Sequence, residues 1–349
     1  MRIRGMGRLR QLARRLRMQF APGGLILLYH RVAEVDSDPW SLCVTPRHFA
    51  EHLEVLRKYA HPVHLQQLTQ TLQNGERPYR QVAITFDDGY ADNLLNAKPL
   101  LTSYDIPATV FVTTGNIGQE REFWWDELDR LLLQPGTLPE VLRLSINGSS
   151  YEWELGESAT YSEDSYQRDR RWTALGKDNP TPRHSLYSSL YQLMRPIQAI
   201  ERRHVLDELQ TWAGVEPKSR LTHRSLTSAE VCAIEQGELI EVGAHTVTHP
   251  FLSALPPALQ QDEINKSKAD LEEILGHPVN SFAYPHGDYT AQTAALVREA
   301  GLLCACSTVA DVVWQNSDRF QLPRVEVQDW DGEEFAKRLS KVVPWLSKQ

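Results

Sequence analysis

The chain is poor in cysteine: four residues, 43, 232, 304 and 306, in 349. None stands in a CxxC pair, which excludes a disulfide scaffold and a thiolate zinc ribbon. Cys304 and Cys306 are two apart in an apolar run and would share one face of a strand, so buried, reduced thiols are expected. Long hydrophobic runs are missing as well. The apolar stretch Leu25-Ile26-Leu27-Leu28 is far below the ~18 residues of a membrane span. Residues 1–20 carry Arg at 2, 4, 8, 10, 14, 15 and 17 and no acid. Arginine interrupts any apolar core of a secretion signal there. A cytoplasmic protein is the expectation, with the Arg-rich segment able to touch the anionic inner face of a membrane. An overall positive surplus is lacking: net charge is −8. Nucleic acid is therefore not an expected partner. No internal repeat or low-complexity tract is visible.

What remains is ordinary globular material, 41% hydrophobic and 23% charged, organised as alternating strands and helices. That alternation predicts βα units and a parallel sheet. Strands are expected at Leu25–Tyr29, Val82–Phe86, Ala108–Thr113, Leu239–Ala244, Ser281–Tyr284, Leu303–Ser307 and Arg324–Val327. Helices are expected from Pro46, capped by Thr45, to Tyr59. Others should cover about Ala91–Tyr104, Pro257–Leu275 with Gly276 as the stop, Ala291–Ala300 and Glu333–Val343. Thr227-Ser228-Ala229-Glu230 is a near-match to a capping box before a short helix. Residues 116–222 break the rhythm. Asn147-Gly148 between two apolar runs signals a hairpin there. The domain reading is an arm at 1–21 and one α/β unit at 22–349, with 116–222 inserted as a cap.

Three loops directly after strands are polar, where parallel α/β folds build their sites. Asp87-Asp88-Gly89-Tyr90 sets two carboxylates side by side. Their repulsion needs a metal ion or an arginine to relieve it. His245-Thr246-Val247-Thr248-His249-Pro250 offers two imidazoles to one metal. Pro250 disfavours a helix through His249, so the pair lies in a loop. With 12 histidines in the chain, spacing alone is a weak signal, and position after an apolar strand strengthens it. Tyr284-Pro285-His286-Gly287-Asp288 is a tight loop whose exposed N–H groups could hold an oxyanion.

Taken in this order, T-F-D-D-G-Y, H-T-x-T-H and F-A-Y-P-H-G resemble the polysaccharide deacetylases, the NodB-type carbohydrate esterases. The likeness covers about 22–115 and 223–345. It implies a distorted (β/α)-barrel of the NodB type with a large inserted cap. It also implies one divalent cation, zinc first, with cobalt, nickel or iron also suited to Asp and His donors. By resemblance, Asp88, His245 and His249 are the metal ligands and Asp87 is the general base. Tyr284 would donate its backbone N–H to the oxyanion, and Tyr90 and Pro285 would line the substrate site. The usual Arg of the third motif and the usual late His are missing. Leu27-Leu28-Tyr29-His30-Arg31-Val32 is similar to the opening of circularly permuted relatives, which makes His30 the candidate general acid. Leu322-Pro323-Arg324-Val325 supplies the candidate Arg324. The implied activity is hydrolysis of the linear amide of an N-acetylated amino sugar, in a glycan or glycan precursor.

Two other functions fit parts of the pattern. A metal-dependent amidohydrolase of small non-carbohydrate amides or imides would keep the same site. A non-catalytic glycan-binding or membrane-scaffold protein would not need Asp87. His48-Phe49-Ala50-Glu51-His52 matches H-x-x-E-H of some metallopeptidases, but its wheel reads as an amphipathic helix. Trp124 and Trp125 in the insertion are candidates for stacking on sugar rings.

Overall fold

The computed structural model describes residues 23–346. The Arg-rich segment and its expected membrane contact lie outside them. Among the described residues, no helix is long and apolar enough to cross a membrane.

Seven strands form the frame: β1 (Leu25–Tyr29), β2 (Gln81–Phe86), β3 (Ala108–Val112), β4 (Ile240–Ala244), β5 (Ser281–Ala283), β6 (Cys304–Cys306) and β7 (Val325–Glu326). Their spatial order is β6-β5-β4-β3-β2-β1-β7, and a two-residue strand at His61–Pro62 also pairs with β2. Every pairing is parallel. All five residues of β1 are buried, as expected of a strand covered on both faces. Between the two edges, Leu322 bridges to Cys306 just before Arg324 and β7. The sheet thus curls into the expected distorted (β/α)-barrel. Gly243 on β4 is needed for close packing, since a Cβ there would lie 2.5 Å from the Phe111 ring.

The helices that wrap the barrel follow their sequence signals closely. In α1 (Pro46–Tyr59) Thr45 accepts the His48 N–H, and Phe49, Leu53 and Leu56 turn inward. Each such burial contributes about 1.5–3 kcal/mol. Next come α2 (Leu65–Gln73), which the sequence reading lacked, and α3 (Lys98–Tyr104). The expected single helix over 91–104 is instead a π-turn at Asn93–Ala97 followed by α3. Pro99 explains this: it has no N–H for the Leu95 carbonyl, and its ring crowds that oxygen.

The insertion contributes α4 (Trp124–Leu132), α5 (Pro182–Met194) and α6 (Ala199–Ala213), with a hairpin pairing Val141–Ile146 against Ser149–Glu154. Asn147 and Gly148 both have positive φ, as a tight two-residue turn requires. These elements share a second hydrophobic core that also takes in Tyr90. Arg183 stitches this unit together through backbone carbonyls of Ser158, Leu132 and Gly136. The barrel then resumes with α7 (Ser228–Glu235), α8 (Pro257–Leu275), α9 (Ala291–Glu299) and α10 (Gly332–Val342). The Thr227–Glu230 capping box is complete rather than approximate. Cys304 and Cys306 are buried and free as expected, whereas Cys232 is exposed.

The H-x-x-E-H match dissolves in the structure. His52 is fully buried against Phe335, while His48 contacts Asp329 at 2.7 Å. The Tyr29 hydroxyl donates to His52 Nδ1, and Nε2–H donates to the Trp330 carbonyl. That network requires a neutral ring, and burial pushes its pKa down to about 4. The unfolded chain therefore binds this proton first, between pH 6.5 and 4. Stability should be full above pH 6.5 and fall by about 3 kcal/mol from this residue as the pH approaches 4. Urea unfolding of wild type and His52→Gln at pH 7.5 and 4.5 checks it. The variant should lose less on acidification, and equal losses refute the assignment.

Candidate metal centre and active site

Strand ends deliver the site. β2 leads into Asp87 and Asp88, β4 into His245 and His249, and β1 into His30. The Asp87 N–H is held by the Tyr29 carbonyl and the His245 N–H by the Val112 carbonyl. Asp88, Thr246, His249 and His286 all have positive φ, from 53° to 75°. Such backbone is costly for residues with a Cβ and persists only where the surroundings impose it. The surroundings do so here. The Asp88 carbonyl accepts the Thr113 N–H, and the Thr246 hydroxyl accepts the His249 N–H. Glu263 on α8 takes the N–H groups of Val247 and Thr248 together with the Thr248 hydroxyl.

Asp88 Oδ1 lies 3.2 Å from His249 Nε2 and 3.6 Å from His245 Nε2. It has no aligned hydrogen bond although it is buried. Three donor atoms of Asp88, His245 and His249 lie within 4.8 Å of one another. Convergence with poor hydrogen-bond geometry is what a cation, rather than a proton, would satisfy. The His245 Nδ1 bonds the Ala283 carbonyl at 2.8 Å. That contact fixes the tautomer with Nε2 free for a metal. The residues present therefore fit a divalent ion.

The two adjacent carboxylates escape their repulsion in different ways. Arg324 grips Asp87 through two 2.7 Å bonds, Nη1 to Oδ1 and Nη2 to Oδ2. Its Nε donates to the Ser307 carbonyl. Burial pushes the Asp87 carboxyl up, but Arg324 and His245 outweigh it and hold it below the usual range. Burial also pushes Asp88 up, and the two imidazoles drive it well below that range. Burial lowers His249, in the direction a ligand needs. His245 is lowered by burial too, yet Asp87 and Asp88 raise it on balance.

His30, Asp87, Asp88, His245, His249 and Trp125 line one cavity of about 330 Å³. Four expectations for the site need correction. The Tyr284 N–H is spent on the Cys306 carbonyl, and its hydroxyl bonds the Phe320 carbonyl, so it holds no oxyanion. Its neighbour Pro285 is buried outside the cavity lining. Tyr90 is also outside it: its hydroxyl donates to Asp126 at 2.7 Å and accepts from Trp125 Nε1. Trp124 packs against Tyr191 and Arg202 in the cap core. Of the two tryptophans only Trp125 reaches the cavity, with its ring centroid 5.1 Å from that of His249. It is also 95% buried, a wall rather than an open stacking platform.

Three residues went unread in the sequence. His286 lines the cavity, stacks on Phe251 at 3.9 Å and abuts His249. Among the described residues no carbonyl takes its N–H. Its position after Pro285 in the third motif was a signal. Arg195 reaches the cavity from the end of α5, and Glu263 braces the His loop from α8. Neither has a local signature.

Fold and site thus define a parallel α/β barrel with one buried Asp/His/His cluster beside an arginine-clamped carboxylate. A polysaccharide deacetylase family model matches residues 74–138 and 217–305, flanking most of the insertion. The matched segments contain Asp87, Asp88, His245 and His249. It is 30% identical over 264 residues to the poly-beta-1,6-N-acetyl-D-glucosamine N-deacetylase of Staphylococcus aureus, covering 76% of this chain and 60% of that protein. It is also 30% identical over 143 residues to YxkH of Bacillus subtilis, named among polysaccharide deacetylases, covering 38% of this chain. The chain spans about half the length of these curated relatives, 48% and 60%. Its fold matches IcaB from Ammonifex degensii, with a TM-score of 0.57 and 18% identity over 93% of this chain and 97% of that one. It also matches the Streptococcus pyogenes deacetylase PplD, at 0.55 and 17% over 91% and 97%.

About one divalent ion per chain should bind, read by elemental analysis after dialysis against zinc. His245→Ala and Asp88→Ala should reduce the stoichiometry to near zero, and Asp87→Asn should retain it. Uptake should weaken as the pH falls, because His245 with its raised pKa competes for a proton. Full occupancy in His245→Ala would refute this cluster as the site.

Proposed function

We propose that the chain is a metal-dependent hydrolase that removes N-acetyl groups from amino sugars of a glycan or glycan precursor. The observation that carries this reading is Asp87. It is ionised, clamped by Arg324, and set within 3.9 Å of His245 beside the metal cluster. A module that only binds glycan or scaffolds a membrane assembly has no use for such a carboxylate. The substrate named for the Staphylococcus aureus relative, poly-β-1,6-N-acetylglucosamine, is the first to offer.

Asp88, His245 and His249 would hold the ion, with zinc ahead of cobalt, nickel and iron. When bound, a divalent cation there supplies Lewis acidity, which acidifies a water and polarises the acetyl carbonyl. Asp87 takes the proton of the attacking water, and Arg324 keeps both carboxylate oxygens oriented. The backbone N–H of His286, in place of Tyr284, is the donor we assign to the developing oxyanion. His30, across the same cavity, delivers a proton to the departing nitrogen. An amine leaves poorly without one. In this reading the acid comes from the opening strand, as in the circularly permuted relatives that Leu27–Val32 resembles. Acetate and a free amino sugar result.

Acetate release from poly-β-1,6-N-acetylglucosamine and from chitin oligosaccharides tests the reading. Asp87→Asn should lose about 100- to 10,000-fold in turnover while keeping its metal. His30→Ala should lose a similar factor on the amide but far less on 4-nitrophenyl acetate, whose leaving group needs no proton. Equal losses on amide and ester would remove His30 from the acid role. Full activity in Asp87→Asn would overturn the mechanism.

A further inference from the structure

A second cavity, of about 120 Å³, lies between the cap and the His loop and reaches His249 from outside the catalytic cavity. Arg202 on α6 and Trp124 on α4 line it together with His249. Arg202 is only 4% exposed. Its Nε and Nη2 donate to the carbonyls of Met194 and Ile197, and its guanidinium lies 4.8 Å from the Trp124 ring centroid. Among the described residues no carboxylate pairs with it. The two acids that line the cavity are already engaged, Glu122 by Arg220 and Glu127 by Arg121, each at 2.7 Å. Two further polar atoms are buried without a partner, Trp124 Nε1 and His249 Nδ1. Trp124 Nε1 can only donate. A buried cation without a counter-charge and a buried donor without an acceptor are both costly. One acceptor of negative charge would relieve both.

We propose that this cavity binds a small monovalent anion, a halide or a short carboxylate such as acetate, between Arg202 and the Trp124 Nε1–H. Burial lowers the Arg202 pKa only to about 10, so the side chain stays cationic at neutral pH. His249 Nε2 is turned to Asp88, which leaves Nδ1 as the ring atom for a third contact. An anion accepting from Nδ1–H holds the tautomer whose Nε2 lone pair faces the metal cluster. The inference does not depend on the deacetylase reading, and the anion needs no turnover to be detected. Acetate would be the product of the proposed reaction, so the two arms of the test separate a halide site from a carboxylate site.

Crystals of the full chain soaked in sodium bromide test it by anomalous scattering. A bromide peak within hydrogen-bond reach of Arg202 and Trp124 Nε1 is expected. In solution, melting temperature is followed against bromide and, separately, against acetate. Trp124→Phe keeps the ring and loses the N–H, so its half-maximal anion concentration should rise about tenfold. Arg202→Met should abolish the specific rise. If Arg202→Met fails to fold, Trp124→Phe decides alone. A cavity holding only water, or an equal response of wild type and Trp124→Phe to both anions, would overturn the proposal.

Discussion

The site depends on one buried ion pair, Arg324 with Asp87. Two neighbouring carboxylates cannot both stay ionised in a closed cavity without separate compensation. Arg324 neutralises the first, which leaves the second for the imidazoles and a cation. The pair joins residues 237 apart in sequence and ties the end of β2 to the segment that enters β7. Arg324 Nη1 also reaches the Thr85 hydroxyl, which in turn bonds the Leu27 carbonyl on β1. Breaking a buried pair by removing one partner typically costs about 3–5 kcal/mol, because the other charge is stranded. The clamp therefore orients Asp87 and fastens the sheet where its two edges approach.

Around this pair the backbone is held in conformations it would not choose. Four residues with side chains take positive φ at the mouth of the barrel. The carbonyls of Asp88 and Thr246 accept the N–H groups of Thr113 and Thr114, and the His249 N–H donates to the Thr246 hydroxyl. Glu263 is the clearest case, since one carboxylate takes three donors of the His loop. Gly287, next to His286, could not carry a side chain at all: a Cβ there would lie 1.9 Å from Thr308 Oγ1. Rigid strands bring Asp88, His245 and His249 near one another, and these side-chain braces set their final angles.

Much of the barrel could be read from the sequence because its elements are locally consistent. β1 is a continuous apolar run, α1 has Thr45-Pro46 at its start, and α8 ends on Gly276 at φ 77°. The convergence of Asp88, His245 and His249 was legible for the same reason: each motif follows an apolar strand. Legibility stopped where a role depends on which way a backbone group points. Tyr284 and His286 sit in one short motif, yet only the structure reveals that the ladder consumes the Tyr284 N–H. It stopped again at long range. Arg195, Arg202 and Glu263 come from helices whose patterns carry no mark of the site.

The insertion is where these limits matter most. By composition it could be a passive appendage, yet Tyr90 of the Asp87-Asp88 motif sits in its core. Tyr90 donates to Asp126 and accepts from Trp125, and the Arg31 guanidinium stacks over its ring at 4.6 Å. Burial raises the Asp126 carboxyl to about 7, against the pull of Arg31 and Arg220. Trp125 then leans on His249. A chain of contacts therefore runs from the first motif through the cap to His249. Trp125 thus belongs to the cap core and at the same time forms a wall against His249. A fold that needed the insertion only as a lid would not bury its own motif tyrosine inside it.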